Sequence, residues 1–353
     1  MTNTRILIVD DSAIVRKLLS EALSAEKDME VVGTAPDPFV ARDKILALQP
    51  DVLTLDIEMP RMDGLTFLQK LMHYHPMPVV VISSLGQAGC QAALEALRLG
   101  AVEVLAKPGG PYSVGELRMD LATKIRAAAA AHVRTPPQTA SAKPEPPLAR
   151  QPFDPASVIA IGASTGGTEA IQKVLSRMPV DSPGILITQH IPPVFSRAFA
   201  NRLNQICPME VKEAEDGERL VRGLALIAPG NLHMLLRKWP GGGFQVAVQD
   251  GPRVCYQRPS VDVMFCSVAE SAGSGAVGVL LTGMGCDGAR GLLKMKQAGA
   301  PTIAQDEASC VVFGMPREAI RLGAVDQISS LDRVSAAILS QLSRMARRAR
   351  GDA

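Results

Sequence analysis

Ser164 sits in Gly162-Ala163-Ser164-Thr165-Gly166, the G-x-S-x-G spacing that lifts a serine hydroxyl onto a sharp strand-to-helix corner. An apolar, β-branched run (Val158–Ile161) leads into the corner, and an amphipathic helical pattern (Thr168–Met178) leads out of it. The helix N-terminus would supply backbone N–H groups and a positive dipole end, which suit a nucleophile whose reaction develops an oxyanion. The plain alternative is a Gly-rich turn that packs a strand on a helix or cradles a phosphate.

A serine nucleophile needs a base, and the base needs an orienting carboxylate. Of the five histidines, His73 and His75 lie far upstream and His132 lies beside a Pro-rich stretch. His190 directly follows the apolar run ILITQ; a strand beside the Ser164 strand would deliver it to the same sheet edge. His233, in an expected loop after ALIAPGN, is the alternative base and reads as a satisfied structural histidine. Asp287, in LTGMGCDGARG, sits on a second strand–Gly-loop–helix corner and is the candidate carboxylate. Asp262 begins a helix and reads as a cap, Asp306 lacks the Gly-loop setting, and Cys286 lacks the basic neighbours that activate a thiolate. The resulting chain order Ser, His, Asp differs from the α/β-hydrolase order Ser, Asp/Glu, His.

A second set of reactive residues lies near the start. Asp10 and Asp11 follow one apolar run, Asp56 another, Ser83 a third and Lys107 a fourth. The runs Arg5–Val9, Met29–Thr34, Asp51–Leu55, Pro78–Ile82 and Val102–Ala106 alternate with helical patterns, which predicts a doubly wound parallel sheet. In the order 2-1-3-4-5 their carboxyl ends bring three carboxylates into one crevice, where a hard divalent cation is the natural compensation. Lys107 adds a point positive charge and Ser83 a hydroxyl.

These residues need two sets of elements. Residues 128–155 carry seven prolines among Ala, Thr, Ser and Gln, and cannot bury a core; they read as a Pro-rich linker between domains at 1–127 and 156–348. The second domain shows strand runs at Val158–Ile161, Gly184–Thr188, Leu224–Ala228, Phe244–Val248, Ala276–Leu281 and Thr302–Ala304. Helical patterns lie at Thr168–Met178, Phe195–Gln205, Val261–Ala272, Ala289–Gln297 and Val334–Arg347, with an irregular middle around residues 240–259 read as a hairpin region. The expected class is α/β throughout, with two doubly wound, mostly parallel sheets.

Composition agrees with this division. The 353 residues favour two domains, and 47% apolar residues suffice for both cores. A formal charge of +2 argues against a nucleic-acid surface. Six cysteines without a C-x-x-C pair read as reduced thiols of a cytoplasmic protein, with no leader and no membrane insertion expected.

Val9-Asp10-Asp11-Ser12, Asp56 with Met59-Pro60 and Asp63-Gly64, Ser83 and Lys107-Pro108 resemble a response-regulator receiver domain, a flavodoxin-like fold. IGASTGG (161–167), TQHIPP (188–193), IAPGNLHM (227–234), RPSVDVMF (258–265) and LTGMGCDGA (281–289) closely resemble the catalytic domain of chemotaxis protein-glutamate methylesterases. The resemblance implies phosphorylation of Asp56 by a chemotaxis histidine kinase and Mg²⁺ held by Asp10, Asp11, Asp56 and the Glu58 carbonyl. Ser83 and Lys107 would contact the phosphoryl group, and Lys107-Pro108 would carry a cis bond. For the second domain it implies hydrolysis of methyl esters on glutamates of chemoreceptor cytoplasmic helices, with glutamine deamidation in some members. Ser164, His190 and Asp287 would form the triad and the N–H groups of Thr165 and Met284 the oxyanion site, with no cofactor for the esterase. A receiver tethered to an esterase is expected to cover the Ser164 cleft until Asp56 is phosphorylated; a monomer is expected. The alternative is a response regulator whose output domain binds a ligand without catalysis.

Overall fold

Apolar runs of five or six residues between Gly, Pro and Asp punctuation form strands buried on both faces, while the intervening amphipathic stretches form helices that cover them. The computed structural model describes residues 3–60, 62–84, 86–107, 114–133, 146–149 and 151–350. The chain falls into two compact units, Met1–Ala140 and Ser141–Ala353.

In the first unit β1 (Thr4–Val9), α1 (Ala13–Ser24), β2 (Met29–Ala35), α2 (Pro38–Leu48) and β3 (Val52–Asp56) are followed by α3 (Gly64–Tyr74), β4 (Val79–Ser83), α4 (Gln87–Arg98), β5 (Glu103–Ala106) and α5 (Val114–Ala129). The five strands are parallel in the order β2-β1-β3-β4-β5. Caps explain several helix starts: Ser12 accepts from the Val15 N–H, Asp37 from Phe39 and Val40, and Asp63 from Thr66.

The second unit runs β6 (Val158–Ala163), α6 (Gly167–Ser176), β7 (Gly184–Gln189), α7 (Phe195–Ile206), β8 (Glu210–Glu213), β9 (Arg219–Leu220), β10 (Leu224–Ile227), β11 (His233–Lys238) and β12 (Phe244–Gln249). It continues with α8 (Val261–Ser271), β13 (Ala276–Leu280), α9 (Ala289–Gln297), β14 (Thr302–Gln305), α10 (Met315–Arg321), β15 (Gln327–Ser329) and α11 (Leu331–Arg350). Seven parallel strands in the order β15-β14-β13-β6-β7-β10-β8 form the main sheet, and β11-β12-β9 form a small antiparallel one. The central strands β13, β6 and β7 are buried along their whole length.

Several sequence expectations need correction. The hairpin is β11–β12, earlier than the region expected, and His233 begins β11 instead of lying in a loop. β8, β9, β15 and α10 were not anticipated. The expected linker is shorter at both ends: α5 reaches Ala129, the Leu148 N–H donates to the Arg177 carbonyl (2.9 Å), and Arg222 stacks over the Phe153 ring. Residues 134–145 of that linker, and the Lys107–Pro108 bond, lie outside the described residues.

Candidate active site

Three neighbouring central strands position the second unit's site. β6 pairs with β7 on one side and β13 on the other, so the segments leaving their carboxyl ends converge. The β6–β7 ladder extends one step beyond the strands: the His190 N–H donates to the Ala163 carbonyl (3.2 Å), which sets His190 beside the Ser164 corner. On the other flank the Ser164 N–H donates to the Thr282 carbonyl (3.0 Å). The corner is tight because Gly166 has φ +75° and a Cβ there would lie 2.5 Å from Val311 Cγ2. Gly283 allows an equally close approach, since its Cβ would lie 2.7 Å from Ser164 Cβ.

His190 Nε2 lies 2.8 Å from Asp287 Oδ2, and both side chains are buried. Asp287 is held from several directions. Its Oδ1 accepts from Ser260 Oγ (2.8 Å) and the N–H groups of Asp262 (3.0 Å) and Gly288 (3.1 Å), and Oδ2 also accepts from the Val261 N–H (2.7 Å). Burial alone would raise its pKa; the bond to His190 and the ring of donors outweigh it and hold the carboxyl below the ordinary value. The start of α8 therefore points its free N–H groups and dipole at a buried carboxylate. With Asp287 ionised, His190 carries its proton on Nε2, leaving the Nδ1 lone pair as the basic one. Nδ1 is buried and has no hydrogen-bond partner, so no Ser164–His190 hydrogen bond is made in this conformation. Such bonds often tighten only when substrate binds.

Of the proposed oxyanion donors, Thr165 belongs to the corner itself. Met284 is half-buried, one residue past the Gly283 that packs on Ser164. His233 stands apart: its Nδ1 accepts from the Ser260 N–H (3.2 Å) and its Nε2 bonds the Pro252 carbonyl (2.9 Å), so both ring nitrogens are engaged. Asp262 is not the cap; Ser260 caps α8, and Asp262 Oδ1 reaches the Gly291 N–H (2.6 Å). Ser260 was missed from the sequence, although a serine just ahead of the helical pattern VDVMF carried the capping signal.

In the first unit, Asp10, Asp11 and Asp56 bring one carboxylate oxygen each to within 4.8 Å of one another. Lys107 Nζ lies 2.6 Å from Asp56 Oδ2, and the Glu58 N–H donates to Asp56 Oδ1 (3.0 Å). Asp10 Oδ2 is buried without a hydrogen-bond partner. Burial, then the nearby Asp56 charge, push the Asp10 carboxyl up to about 6, and burial also raises Asp56. An orphaned carboxylate oxygen among crowded acids fits a divalent cation. Ser83 Oγ donates to the Gly89 carbonyl (2.9 Å), at the end of the strand adjacent to Asp56.

A parallel-sheet unit with a phosphoacceptor-type acidic crevice, followed by one with a serine, imidazole and carboxylate on adjacent strands, defines a receiver-linked hydrolase class. The model of the response regulator receiver domain matches residues 6–116, and that of the CheB methylesterase matches residues 159–338. A protein-glutamate methylesterase/protein-glutamine glutaminase of Syntrophus aciditrophicus is 57% identical over 337 residues, covering 95% of this chain and 98% of that protein. The Escherichia coli K12 protein of the same name is 54% identical over 349 residues, covering 97% and 98%. The CheB methylesterase catalytic domain of Thermotoga maritima superposes with a TM-score of 0.51 at 35% identity, covering 52% of this chain and 97% of that domain. The chain belongs to the CheB methylesterase family. Among the described residues, no helix is long and apolar enough to cross a membrane.

Proposed function

We propose that the chain hydrolyses γ-methyl esters of glutamate, and deamidates glutamine, on chemoreceptor cytoplasmic helices, under control of phosphoryl transfer to Asp56. The observation that carries the hydrolytic reading is the 2.8 Å contact between His190 and Asp287 beside the Ser164 corner. Ser164 Oγ attacks the ester carbonyl while His190 Nδ1 takes its proton, and Asp287 stabilises the resulting imidazolium. The tetrahedral oxyanion is met by the N–H groups of Thr165 and Met284. The imidazolium protonates the departing methanol, or ammonia from an amide. Water then attacks the acyl-enzyme, giving its proton to Nδ1, and free glutamate and Ser164 are restored. No cofactor enters this scheme. The alternative of a ligand-binding output domain without catalysis is not favoured by the family to which the chain belongs.

For the receiver, the partner is a chemotaxis histidine kinase as phosphodonor. Asp10, Asp11, Asp56 and the Glu58 carbonyl would hold Mg²⁺, which offsets charge on the incoming phosphoryl oxygens. Lys107, already on Asp56, is placed to shift onto the phosphoryl group, and Ser83 to offer its hydroxyl. Work in the cytoplasm as a monomer completes the reading. The test is methanol release from methylated receptor, with and without a small-molecule phosphodonor. A rate at the uncatalysed level in both would sink the reading.

A further inference from the structure

One cluster of ligating groups lies outside the hydrolytic scheme. Cys255 Sγ is 3.7 Å from Cys286 Sγ and 4.0 Å from Asp262 Oδ2. Two sulfurs bound to one tetrahedral zinc at about 2.3 Å each are separated by about 3.8 Å, so the pair already has the edge length of such a site. Asp262 is buried and its Oδ1 is taken by Gly291, which leaves Oδ2 turned to Cys255. Asp287 is close, but its oxygens are occupied by His190, Ser260 and three N–H groups. Cys286 is exposed and gives an entry path from solvent.

The backbone supplies a second observation. Val254 and Gln257 exchange both backbone hydrogen bonds (3.0 and 2.9 Å), closing a two-residue turn over Cys255 and Tyr256. Both central residues have positive φ, 49° and 65°. That turn type favours Asn-Gly, and side chains such as Cys and Tyr persist in it only when the surroundings hold them. The strain presents the Cys255 sulfur to Cys286.

The geometry points to a binding site for a borderline-soft divalent cation, Zn²⁺, with Cys255 and Cys286 thiolates and the Asp262 carboxylate as ligands and solvent in the fourth position. Burial pushes the free Cys255 thiol up to about 12, so without a cation it stays protonated and is a poor partner for thiol–disulfide exchange. Zinc binding releases the two thiol protons to solvent, with no change of oxidation state. The cation ties the Cys286 segment to the Cys255 turn and sets positive charge one residue from Asp287. That charge opposes the imidazolium at His190, so occupancy slows hydrolysis. This last step rests on the proposed role of Asp287; the binding itself does not.

The test uses the reduced full-length chain with excess Mg²⁺ to fill the acidic crevice of the receiver. Co²⁺ is titrated first and should give a thiolate-to-cobalt charge-transfer band that an equimolar amount of Zn²⁺ removes. C255S and C286S should each lose the band, and Zn²⁺ affinity in D262N should fall by more than the roughly 10- to 100-fold that an outer-shell change costs. C90S, in the other unit, should keep it. Each variant's rate with zinc is divided by its own metal-free rate; the ratio should fall well below one only where the site is intact, and a chelator should restore it. No band in the parent chain, or an unchanged band in both C255S and C286S, overturns the site. Recovery by a reductant but not a chelator overturns it in favour of a disulfide. Tight zinc binding at full rate overturns the coupling to Asp287. Loss of hydrolysis in the metal-free parent would instead count against the triad reading, and leaves the spectroscopic arm intact.

Discussion

His190 Nε2 sits 2.8 Å from Asp287 Oδ2, which commits that nitrogen to the carboxylate and leaves Nδ1 as the atom able to take the serine proton. Replacing Ser164 or His190 by Ala should therefore lower kcat by at least roughly 10³-fold. His233→Ala should act on stability instead, because its ring ties Ser260 to Pro252. Rates on methylated receptor, with thermal melts of each variant, check this. A His233→Ala rate as low as that of His190→Ala, in a folded protein, would reassign the base.

Ser260 serves two neighbours: its hydroxyl donates to Asp287 Oδ1 and accepts from the Val263 N–H at the start of α8. Ser260→Ala should cost about 1 kcal/mol of stability as a lost cap and also lower kcat with little change in KM. Ser260→Thr should recover most of both. A melt shift with an unaltered kcat would reduce Ser260 to a cap.

Gly283→Ala would place a methyl group 2.4 Å from Met315 Sδ and 2.7 Å from the Ser164 Cβ. The sulfur can move, but the Ser164 corner cannot retreat without disturbing its own turn. A destabilisation of about 1–3 kcal/mol, typical of overpacking, should accompany a loss of labelling of Ser164 by a serine-directed phosphonate. Labelling at the parent rate would show that the corner has slack.

Phosphodonor activation should vanish in Asp56→Asn and weaken in Lys107→Ala, while the basal rate persists in both. Activation surviving in Asp56→Asn would place the phosphoacceptor elsewhere.

The raised Asp10 carboxyl gives the receiver a pH signature. Unfolded carboxylates titrate near 3.8 and Asp10 in the fold near 6, so between these values the metal-free fold binds more protons than the unfolded chain. The sign follows: metal-free stability from this group falls as pH rises from about 4 to 6, and stays low above that. Mg²⁺ requires the ionised form, so its stabilisation should be large above pH 6 and shrink below it. Thermal melts with and without Mg²⁺ at pH 5 and 7.5 measure this; equal Mg²⁺ shifts at the two values would contradict it.

The sequence was most legible where burial is complete. β1, β3, β6, β7 and β13 read as unbroken apolar runs, and the Gly-rich corners after β6 and β13 exposed Ser164 and Asp287. It was least legible at the periphery. β8 (EVKE), β9 (two residues) and β15 (three residues) are short and polar or half-exposed, and owe their strand geometry to pairing with neighbours. His233 was read in a loop because PGN precedes it, yet that turn ends at once and HMLLRK alternates into β11. The donors around Asp287 come from a helix start 25 to 27 residues upstream in sequence, a relation no local pattern contains.

The reactive serine, imidazole and carboxylate leave three strands that lie side by side in the middle of a seven-stranded sheet. Moving any one of them relative to the others would require the innermost ladder to slip, and a one-residue slip turns every buried side chain outward. Their alignment is therefore protected by the same hydrophobic cost that keeps the protein folded. Loops, the hairpin and the outer strands remain free to drift in evolution while the chemistry at the centre stays in register.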